Sequence, residues 1–468
     1  MVFSSTVFLF IFLAAVWVLH TVIPRRFLCA KNVLLSLASL VFYAYGEPVY
    51  VLIMLASVTV NYFSALLIER FSEHRRLICA VTVVLNLSTL ALFKYVPWLV
   101  SLVNSAAGLS LPVPALTIPV GISFYTFQIL SYVIDVERGK VPAQHNYINL
   151  FLYISLFPQL IAGPIVKYGD IATEIENRTV TPEKTARGIR RFIVGLSKKV
   201  LISNTVAVVA DAAFTAQSPS SAMLWAGAVM YCLQLYFDFS GYSDMAIGLG
   251  GMFGFTIGEN FNYPYISSSV CDFWKRWHIS LTSWFREYVY FPLGGSRCSK
   301  PRAMFNRFVV FALSGLWHGA NLTYLLWGIW HGVLMVVEQL TGLNRFAEKR
   351  AAKPFTRIYA LLAVLLGFVL FRADSVSSAV KYIGGMFSFS GGFSDISTYL
   401  DPWTVAVFCA AVLFSTPVVR FIREKLSKTE KGATVASAVR YAAVIPLFCL
   451  SVGMLASSSF NPFIYYIF

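Results

Sequence analysis

Apolar runs recur along the whole length of this 468-residue chain, and at about 20 residues each is long enough to cross a ~30 Å hydrocarbon core as a helix. Hydrophobic residues make up 57% of the chain and charged residues 13%, against roughly 25% charged in an ordinary soluble domain. Since a backbone in lipid must satisfy its own hydrogen bonds, spanning segments of this length form helices. The sequence therefore predicts one all-α polytopic membrane domain, residues 1–468.

The net charge of +15 is spread between the apolar runs rather than gathered in one basic region. The positive-inside rule places the basic loops in the cytoplasm, and then only Lys94, Arg372 and Lys381 lie away from a cytoplasmic loop. Those loops are 24–31, 69–76, 135–148, 166–191, 238–304, 341–357 and 420–439. This distribution indicates a membrane protein rather than a nucleic-acid-binding protein, and it places both termini outside the cytoplasm.

The apolar runs predict about 11 to 12 transmembrane helices. Their expected starts are near residues 4, 32, 48, 77, 118, 192, 222, 305, 322, 358, 403 and 440. The first run has no basic residue before it, and Arg25 and Arg26 follow it, so we expect a membrane helix rather than a secretory signal. The run 149–165 lies between two cytoplasmic loops and contains Pro158, which predicts a re-entrant hairpin; a broken spanning helix is the alternative.

The connection from Phe237 to Met304 is too rich in aromatic residues and glycine to be a solvated loop. We expect it to pack against the membrane face. Within it, residues 272–295 (DFWKRWHISLTSWFREYVYFPLGG) carry aromatic residues at steps of three and four, which predicts an amphipathic helix. Cations on the other face suit an interfacial helix. Surface anchoring without chemistry is the alternative.

Two histidines lie in the apolar stretch LSGLWHGANLTYLLWGIWHG, residues 313–332. A turn at 319–321 is expected to separate two helices, with His318 before it and His331 one turn into the second. Burial disfavours a charged imidazole, so His318 would stay neutral and accept a proton, as a general base must. For His331 we favour a structural role, hydrogen-bonded between helices. From these residues alone, a transporter with a proton-relay histidine is equally consistent.

Several longer strings resemble the membrane-bound O-acyltransferase family, and most of all its alginate-acetylating branch. They are MVFSSTVFLFIFL (1–13), FYAYGEPVY (42–50), VGISFYTFQILSYVIDVERG (120–139), YFDFSGYSDMAIGLG (236–250), FWKRWHISLTSWFREYVYFPLGG (273–295) and SGLWHG (314–319). The likeness covers nearly the full length, and other relatives serve peptidoglycan and cellulose acetylation and teichoic-acid D-alanylation. The resemblance implies helices arranged around a central funnel that is open to the cytoplasm and meets an outer pocket at a histidine.

The resemblance also implies the site residues. His318 would be the catalytic base, and His278 or a nearby donor would stabilise the developing oxyanion. The further candidates for contacts with donor or acceptor are Lys275, Arg276, Trp277, Arg286, Asp238, Trp317 and Asn321. The cations among them would steer the phosphates of a donor. For the DFSGYSD segment that begins at Asp238, we favour hydrogen bonding between helices, since the resemblance implies only that this region borders the pocket.

The activity implied is transfer of an acetyl group from cytoplasmic acetyl-CoA, a donor substrate rather than a cofactor, towards an extracytoplasmic polysaccharide or cell-wall glycan. An extracytoplasmic SGNH-type O-acetyltransferase would complete delivery from the bacterial cytoplasmic membrane. No metal is expected. The alternatives are acyl transfer from a carrier-protein thioester to teichoic acid, a transporter or flippase, and a non-catalytic scaffold. The polar motifs crowd into 236–332 without a counterpart in the first half, which argues against a repeat-built transporter.

The C-terminal sequence NPFIYYIF, residues 461–468, resembles the ending of the small partner protein in teichoic-acid D-alanylation. Segment 440–468 would then be a fused acyl-shuttle helix, with Tyr465 carrying the acyl group. Aromatic anchoring of a helix end in the membrane interface is the alternative.

Overall fold

The structure is a computed structural model that describes residues 1–457, 463 and 464. Every regular element in these residues is a helix, as the sequence predicts. The chain forms two compact units: the first holds residues 1–192, 243–258 and the pair 463–464, and the second holds 193–242 and 259–457. Tyr465, the expected acyl carrier, lies outside the described residues.

The first unit is built mainly from the N-terminal helices. After π-helical turns at Val7–Phe12 these are α1 (Leu13–Val22), α2 (Leu28–Ala44), α3 (Val51–Arg70), α4 (Arg75–Ala107), α5 (Ile122–Glu137), α6 (Tyr147–Ser155), α7 (Tyr168–Asn177) and most of α8 (Pro182–Ser197). Nearly every residue of α5 is buried, so this helix forms the centre of the unit.

The second unit contains the remaining helices. They are α9 (Asn204–Thr215), α10 (Ser221–Phe253, which ends in the first unit), α11 (Val270–Trp274), α12 (Ile279–Phe285), α13 (Lys300–His318), α14 (Leu322–Thr341), α15 (Leu343–Phe346), α16 (Lys353–Arg372), α17 (Val376–Met386), α18 (Ser394–Ser397), α19 (Pro402–Phe414), α20 (Val418–Leu426), α21 (Glu430–Ala442) and α22 (Val444–Ser457). Shorter π-helical and 3₁₀ turns occur at Lys198–Ser203, Pro264–Ile266 and Arg286–Tyr290.

Among the described residues, 6 helical segments are long and apolar enough to cross a membrane, or 7 if the α19 and α20 pair, bent by 63°, is one span. The expected apolar runs are helical, but several, including α1 and α2, are shorter than a full crossing. The run 149–165 is helical only as far as Ser155, where α6 ends, and then continues as buried turns. The expected break in this run is therefore confirmed.

Two predictions about the long connection are wrong. It does not begin at Phe237, because α10 continues as helix to Phe253. Nor do residues 272–295 form one amphipathic helix, because α11 ends at Trp274 and α12 begins only at Ile279. Between the two helices, the backbone at His278 adopts left-handed angles. Side chains on either side of this break therefore do not share one helical face.

Candidate active site

Helices α13 and α14 form a tightly packed hairpin that ends at His318. The Cβ that Gly315 lacks would lie 3.2 Å from the Cα of Gly328, and a Cβ on Gly328 would overlap the Phe311 carbonyl oxygen. Small residues at such positions let helix backbones approach closely. The expected turn at 319–321 is confirmed, since α13 ends at His318 and Asn321 caps α14 by accepting a hydrogen bond from the Thr323 amide (3.1 Å).

His318 is the last residue of α13, and its ring is buried among aromatic side chains. Its ring centroid lies 4.9 Å from Trp317, 5.0 Å from Trp327 and 5.2 Å from Phe371. Such edge-to-face packing fixes the orientation of the imidazole.

His278 lies at the break between α11 and α12, with backbone angles φ 45° and ψ 54°. This left-handed conformation is uncommon for a residue with a side chain, and it persists only where the surroundings hold it. The Asn260 carboxamide provides that hold, because its Oδ1 accepts the Ser280 amide (3.1 Å) and the Ser280 hydroxyl (2.9 Å). The Asn260 carbonyl accepts the Ile279 amide at 3.0 Å.

The same Asn260 oxygen fixes the protonation of the His278 ring. Nδ1 of His278 lies 3.3 Å from Asn260 Oδ1, and the Ser280 amide, which can only donate, identifies that atom as the carbonyl oxygen. Nδ1 therefore carries the hydrogen and donates it to Asn260. In a neutral imidazole the other nitrogen, Nε2, then holds a lone pair and acts as an acceptor.

His278 stays neutral across the physiological range. It lies in the connection between α10 and α13, and its burial lowers the pKa of the imidazole from 6.5 to about 3. A neutral ring with its proton on Nδ1 cannot donate from Nε2 to an oxyanion. The geometry thus favours His278 as a hydrogen-bond acceptor, rather than as the oxyanion donor that the resemblance implied.

The indole of Trp317 lies close to both candidate histidines. Its indole lies 4.9 Å from the ring of His318 and 6.3 Å from the ring of His278. Phe239 of α10 closes the other side of His278 at 4.6 Å. Three separate segments of the second unit therefore converge on one aromatic cluster that contains both predicted histidines.

The candidate site residues near His278 differ in how exposed their side chains are. Trp277 is buried and stacks on Phe273 at 5.4 Å, as a core residue does. Arg276 donates from Nε to Asp272 Oδ1 at 2.9 Å, so its charge is paired with a carboxylate of α11. Lys275 and Arg286 are exposed. These last two cations are the ones open to a soluble anion.

The remaining candidates make structural contacts in the second unit. Asp238 and Lys199 form a buried ion pair, with 2.6 Å between Oδ1 and Nζ. This pairing agrees with the favoured structural interpretation of DFSGYSD. Asn321 uses both ends of its amide, because it caps α14 and donates to the Asp374 carbonyl at 3.0 Å. A role in substrate binding remains a prediction for both Asp238 and Asn321.

The interpretation of His331 needs correction. It lies in the middle of α14, not one turn into it, and it is fully buried between the rings of Trp274 (5.1 Å) and Trp327 (5.3 Å). Neither ring nitrogen has a hydrogen-bond partner in the part of the chain that the structure describes. His331 is thus held by aromatic packing rather than by the hydrogen bond we expected.

Two residues that support the site were missed in the sequence. One is Asn260, which nothing in its neighbourhood marks as unusual. The other is Glu338, fully buried in α14, whose carboxylate accepts the amides of Val270 (2.6 Å) and Cys271 (3.0 Å) and so holds the start of α11. A single carboxylate in an apolar run was the available signal, since such residues mark functional positions in membrane proteins.

Comparison with known proteins identifies the family of this chain. Residues 139–378 match the model of the MBOAT, membrane-bound O-acyltransferase family. The probable alginate O-acetylase AlgI of Pseudomonas aeruginosa is 44% identical over 396 residues, covering 83% of this chain and 75% of that protein. The peptidoglycan O-acetyltransferase of Helicobacter pylori is 33% identical over 430 residues, covering 84% and 80%.

A more distant relative has a different acyl group in its name. The teichoic acid D-alanyltransferase of Bacillus subtilis is 30% identical over 262 residues, which cover 53% of this chain and 65% of that protein. The resemblance drawn from the sequence motifs is confirmed by these matches. This chain belongs to the membrane-bound O-acyltransferase family and is a multi-pass membrane O-acyltransferase.

Proposed function

We propose that this protein transfers an acetyl group from cytoplasmic acetyl-CoA to a hydroxyl group on the other side of the membrane, for O-acetylation of a polysaccharide or cell-wall glycan. The observation that carries the proposal is the convergence of His318 and His278 on the indole of Trp317. The names of the relatives, an alginate O-acetylase and a peptidoglycan O-acetyltransferase, support an acetyl group and a glycan acceptor.

His318 acts as the general base in this mechanism. The acceptor oxygen attacks the thioester carbonyl carbon while its proton passes to the His318 imidazole, which forms a tetrahedral intermediate. The intermediate collapses, the carbon–sulfur bond breaks, and the protonated His318 returns the proton to the departing thiolate. The products are an O-acetyl ester and free coenzyme A, and the histidine ends in its starting state.

His278 orients a hydroxyl or thiol through Nε2. Because Asn260 holds the ring proton on Nδ1, Nε2 is fixed as an acceptor. A fixed acceptor close to the reacting groups lowers the entropic cost of reaching the reactive geometry. The oxyanion requires a different donor, and the indole of Trp317, which can only donate, is the donor-only group that contacts both histidines.

The exposed cations Lys275 and Arg286 attract the donor. Acetyl-CoA carries several phosphate charges, and basic residues at an entrance raise the local concentration of an anionic substrate. The predicted cytoplasmic position of this connection puts both cations on the donor side. In this arrangement the protein resides in the bacterial cytoplasmic membrane with its termini outside, and an SGNH-type transferase completes delivery to the glycan.

Acyl transfer from acetyl-CoA by the purified protein, with His318→Ala and His318→Gln, tests the proposal. We expect both variants to lose at least about 100-fold in kcat, because removal of a general base costs ~10²–10⁴. His145→Ala, which changes an exposed histidine, is the control and should match the wild type. Transfer by His318→Ala at the wild-type rate would contradict the assignment of the base.

Transfer of D-alanine from a carrier-protein thioester is the second candidate, favoured by the Bacillus subtilis relative. The same transfer assay, run with each donor in turn, distinguishes acetyl-CoA from a D-alanyl carrier protein. Activity with the D-alanyl carrier and none with acetyl-CoA would replace the proposed donor while leaving the role of His318 intact.

A further inference from the structure

Three basic side chains come together in the first unit, at the ends of α1, α2 and α7. We call His20, Lys31 and Arg178 the basic cluster. Their exposed fractions are 2%, 6% and 9%, so each is more than nine-tenths buried. The exposed Arg25 lies in the loop between α1 and α2, close enough to Lys31 for their charges to interact.

Arg178 is anchored through two of its three nitrogens. Nε donates to the Phe253 carbonyl at 3.0 Å, and Nη1 donates to Asn32 Oδ1 at 2.5 Å. The guanidinium lies 4.5 Å above the ring of Phe255. Nη2 is buried and has no hydrogen-bond partner in the described residues. Burial lowers the pKa of Arg178 to about 10, so the side chain remains charged near pH 7.

His20 also has a buried nitrogen without a partner, and Lys31 has no counter-charge, among the residues that the structure describes. The ring of His20 packs against Phe253 at 5.2 Å, and its Nε2 is buried with no partner within the described part of the chain. Lys31 precedes Asn32, the residue that accepts from Arg178, and the charges of Lys31 and Arg178 interact repulsively. Over residues 1–457, 463 and 464, no hydrogen bond or ion pair reaches the Lys31 ammonium.

Among the described residues, no carboxylate forms an ion pair with the cluster. Glu174 interacts electrostatically with Arg178, but its two oxygens accept the amide (2.8 Å) and the hydroxyl (2.6 Å) of Thr256. The first turn of α2 contains no acidic residue, and its start has no side-chain cap. Buried cations without a counter-charge are unfavourable, and they repel each other. An anion at this position would satisfy Arg178 Nη2 and Lys31 together.

We propose that the basic cluster is a binding site for a phosphate group. A phosphate offers several acceptor oxygens and a high charge, which suit a guanidinium beside an ammonium. The exposed Arg25 marks the side from which the group enters. The phosphate belongs either to a phospholipid headgroup or to a soluble phosphate ester, and the site does not depend on the acyl-transfer function proposed above.

Binding of two probes to the delipidated full-length protein tests this site. The probes are short-chain phosphatidic acid and inorganic pyrophosphate, and diacylglycerol of the same chain length is the phosphate-free control. Thermal unfolding in a non-ionic detergent gives the affinity of each. Tight binding of phosphatidic acid with weak binding of pyrophosphate identifies a lipid headgroup as the ligand. Tight binding of pyrophosphate with weak binding of phosphatidic acid identifies a soluble phosphate ester. Either result supports the site.

Lys31→Met is the decisive variant, because it keeps an unbranched side chain and breaks no hydrogen bond. It should lower the affinity for the preferred probe by roughly tenfold or more, the effect of losing one charged hydrogen bond. It should also raise the melting temperature of the unliganded protein, because the repulsion between Lys31 and Arg178 is removed. Lys94→Met removes another buried lysine, one that contacts Ser123, and should leave probe binding unchanged.

Two results would overturn the proposal. One is equal affinity of the wild type and Lys31→Met for both probes, or no binding of either probe by the wild type. The other is an unliganded Lys31→Met protein that melts no higher than the wild type, which would mean that the lysine is already compensated. Because acyl transfer is not measured, these outcomes are separate from the result with His318→Ala.

Discussion

The imidazole of His278 lies 6.3 Å from the indole of Trp317, and that indole also contacts His318 at 4.9 Å. His278 comes from a break between two short helices, whereas Trp317 and His318 end a long one. Each histidine is thus positioned by a different part of the backbone. Changes that loosen either support should lower the rate of transfer without removing a reacting group.

Asn260→Ala tests the support of His278. The substitution removes the oxygen that accepts from Nδ1, so the ring proton is no longer confined to that nitrogen. We expect kcat to fall by up to about 100-fold, the effect of a small displacement of a reacting group, with little change in KM. Ser280→Ala removes the hydroxyl that donates to Asn260 but keeps the amide that donates to the same oxygen, and it is the control. An Asn260→Ala protein with full kcat would contradict the tautomer assignment.

His278 should also make stability depend on pH. Its pKa is about 3 in the folded protein and near 6.5 in the unfolded chain, because burial disfavours the charged ring. Below pH 6.5 the unfolded chain binds a proton that the folded protein does not, so stability falls as the pH is lowered towards 3. The slope is at most about 1.4 kcal/mol per pH unit for one group.

Thermal unfolding of the wild type and His278→Gln between pH 4 and 8 measures this contribution. All other titrating groups are common to the two proteins, so the difference isolates His278. The two curves should run parallel above pH 6.5, and the wild type should lose stability faster below it. Parallel curves over the whole range would mean that the ring is not held neutral.

The apolar helices and His318 follow from local sequence, because apolar runs and the turn at 319–321 are local patterns, whereas His278 was identified only through the family resemblance. The break at His278 does not follow, since the aromatic periodicity continues across it and only the backbone angles reveal it. The extension of α10 was missed for a related reason. From the sequence, Asp238 is predicted to lie in a loop, because a charged residue is unfavourable in a buried helix. In the structure, Lys199, which is far away in sequence, neutralises its charge. Long-range pairing of this kind is not encoded in either segment alone.

Glu338→Gln tests the support of α11. Glutamine keeps one acceptor oxygen but places an NH₂ group against a backbone amide that needs an acceptor. We expect a loss of about 1–3 kcal/mol in stability and a kcat that falls more than KM rises, since His278 follows α11 directly. Glu348→Gln changes an exposed carboxylate and should have neither effect. Wild-type kcat in Glu338→Gln would show that α11 does not position His278.

Gly328→Ala tests the packing of the α13 and α14 hairpin. The added methyl group would overlap the Phe311 carbonyl oxygen and lie 3.1 Å from Gly315, so the helices must separate. Overpacking of this kind costs about 1–3 kcal/mol, and it should also lower transfer, because α13 carries His318. Gly384→Ala, with no atom within 4 Å of the new methyl group, should instead gain up to about 1 kcal/mol. Equal melting temperatures for the two variants would contradict the close contact.

Tyr465→Phe tests the proposed acyl shuttle at the C terminus. If the Tyr465 hydroxyl carries the acetyl group, the variant should retain hydrolysis of acetyl-CoA at His318 but lose transfer to a glycan acceptor. Tyr466→Phe removes the neighbouring hydroxyl and should behave as the wild type. Mass spectrometry of the C-terminal peptide during turnover should show one acetyl group on residue 465. If that peptide stays unmodified and Tyr465→Phe still acetylates the glycan, the acyl group passes directly to the acceptor, and the C-terminal aromatic residues serve only as membrane anchors.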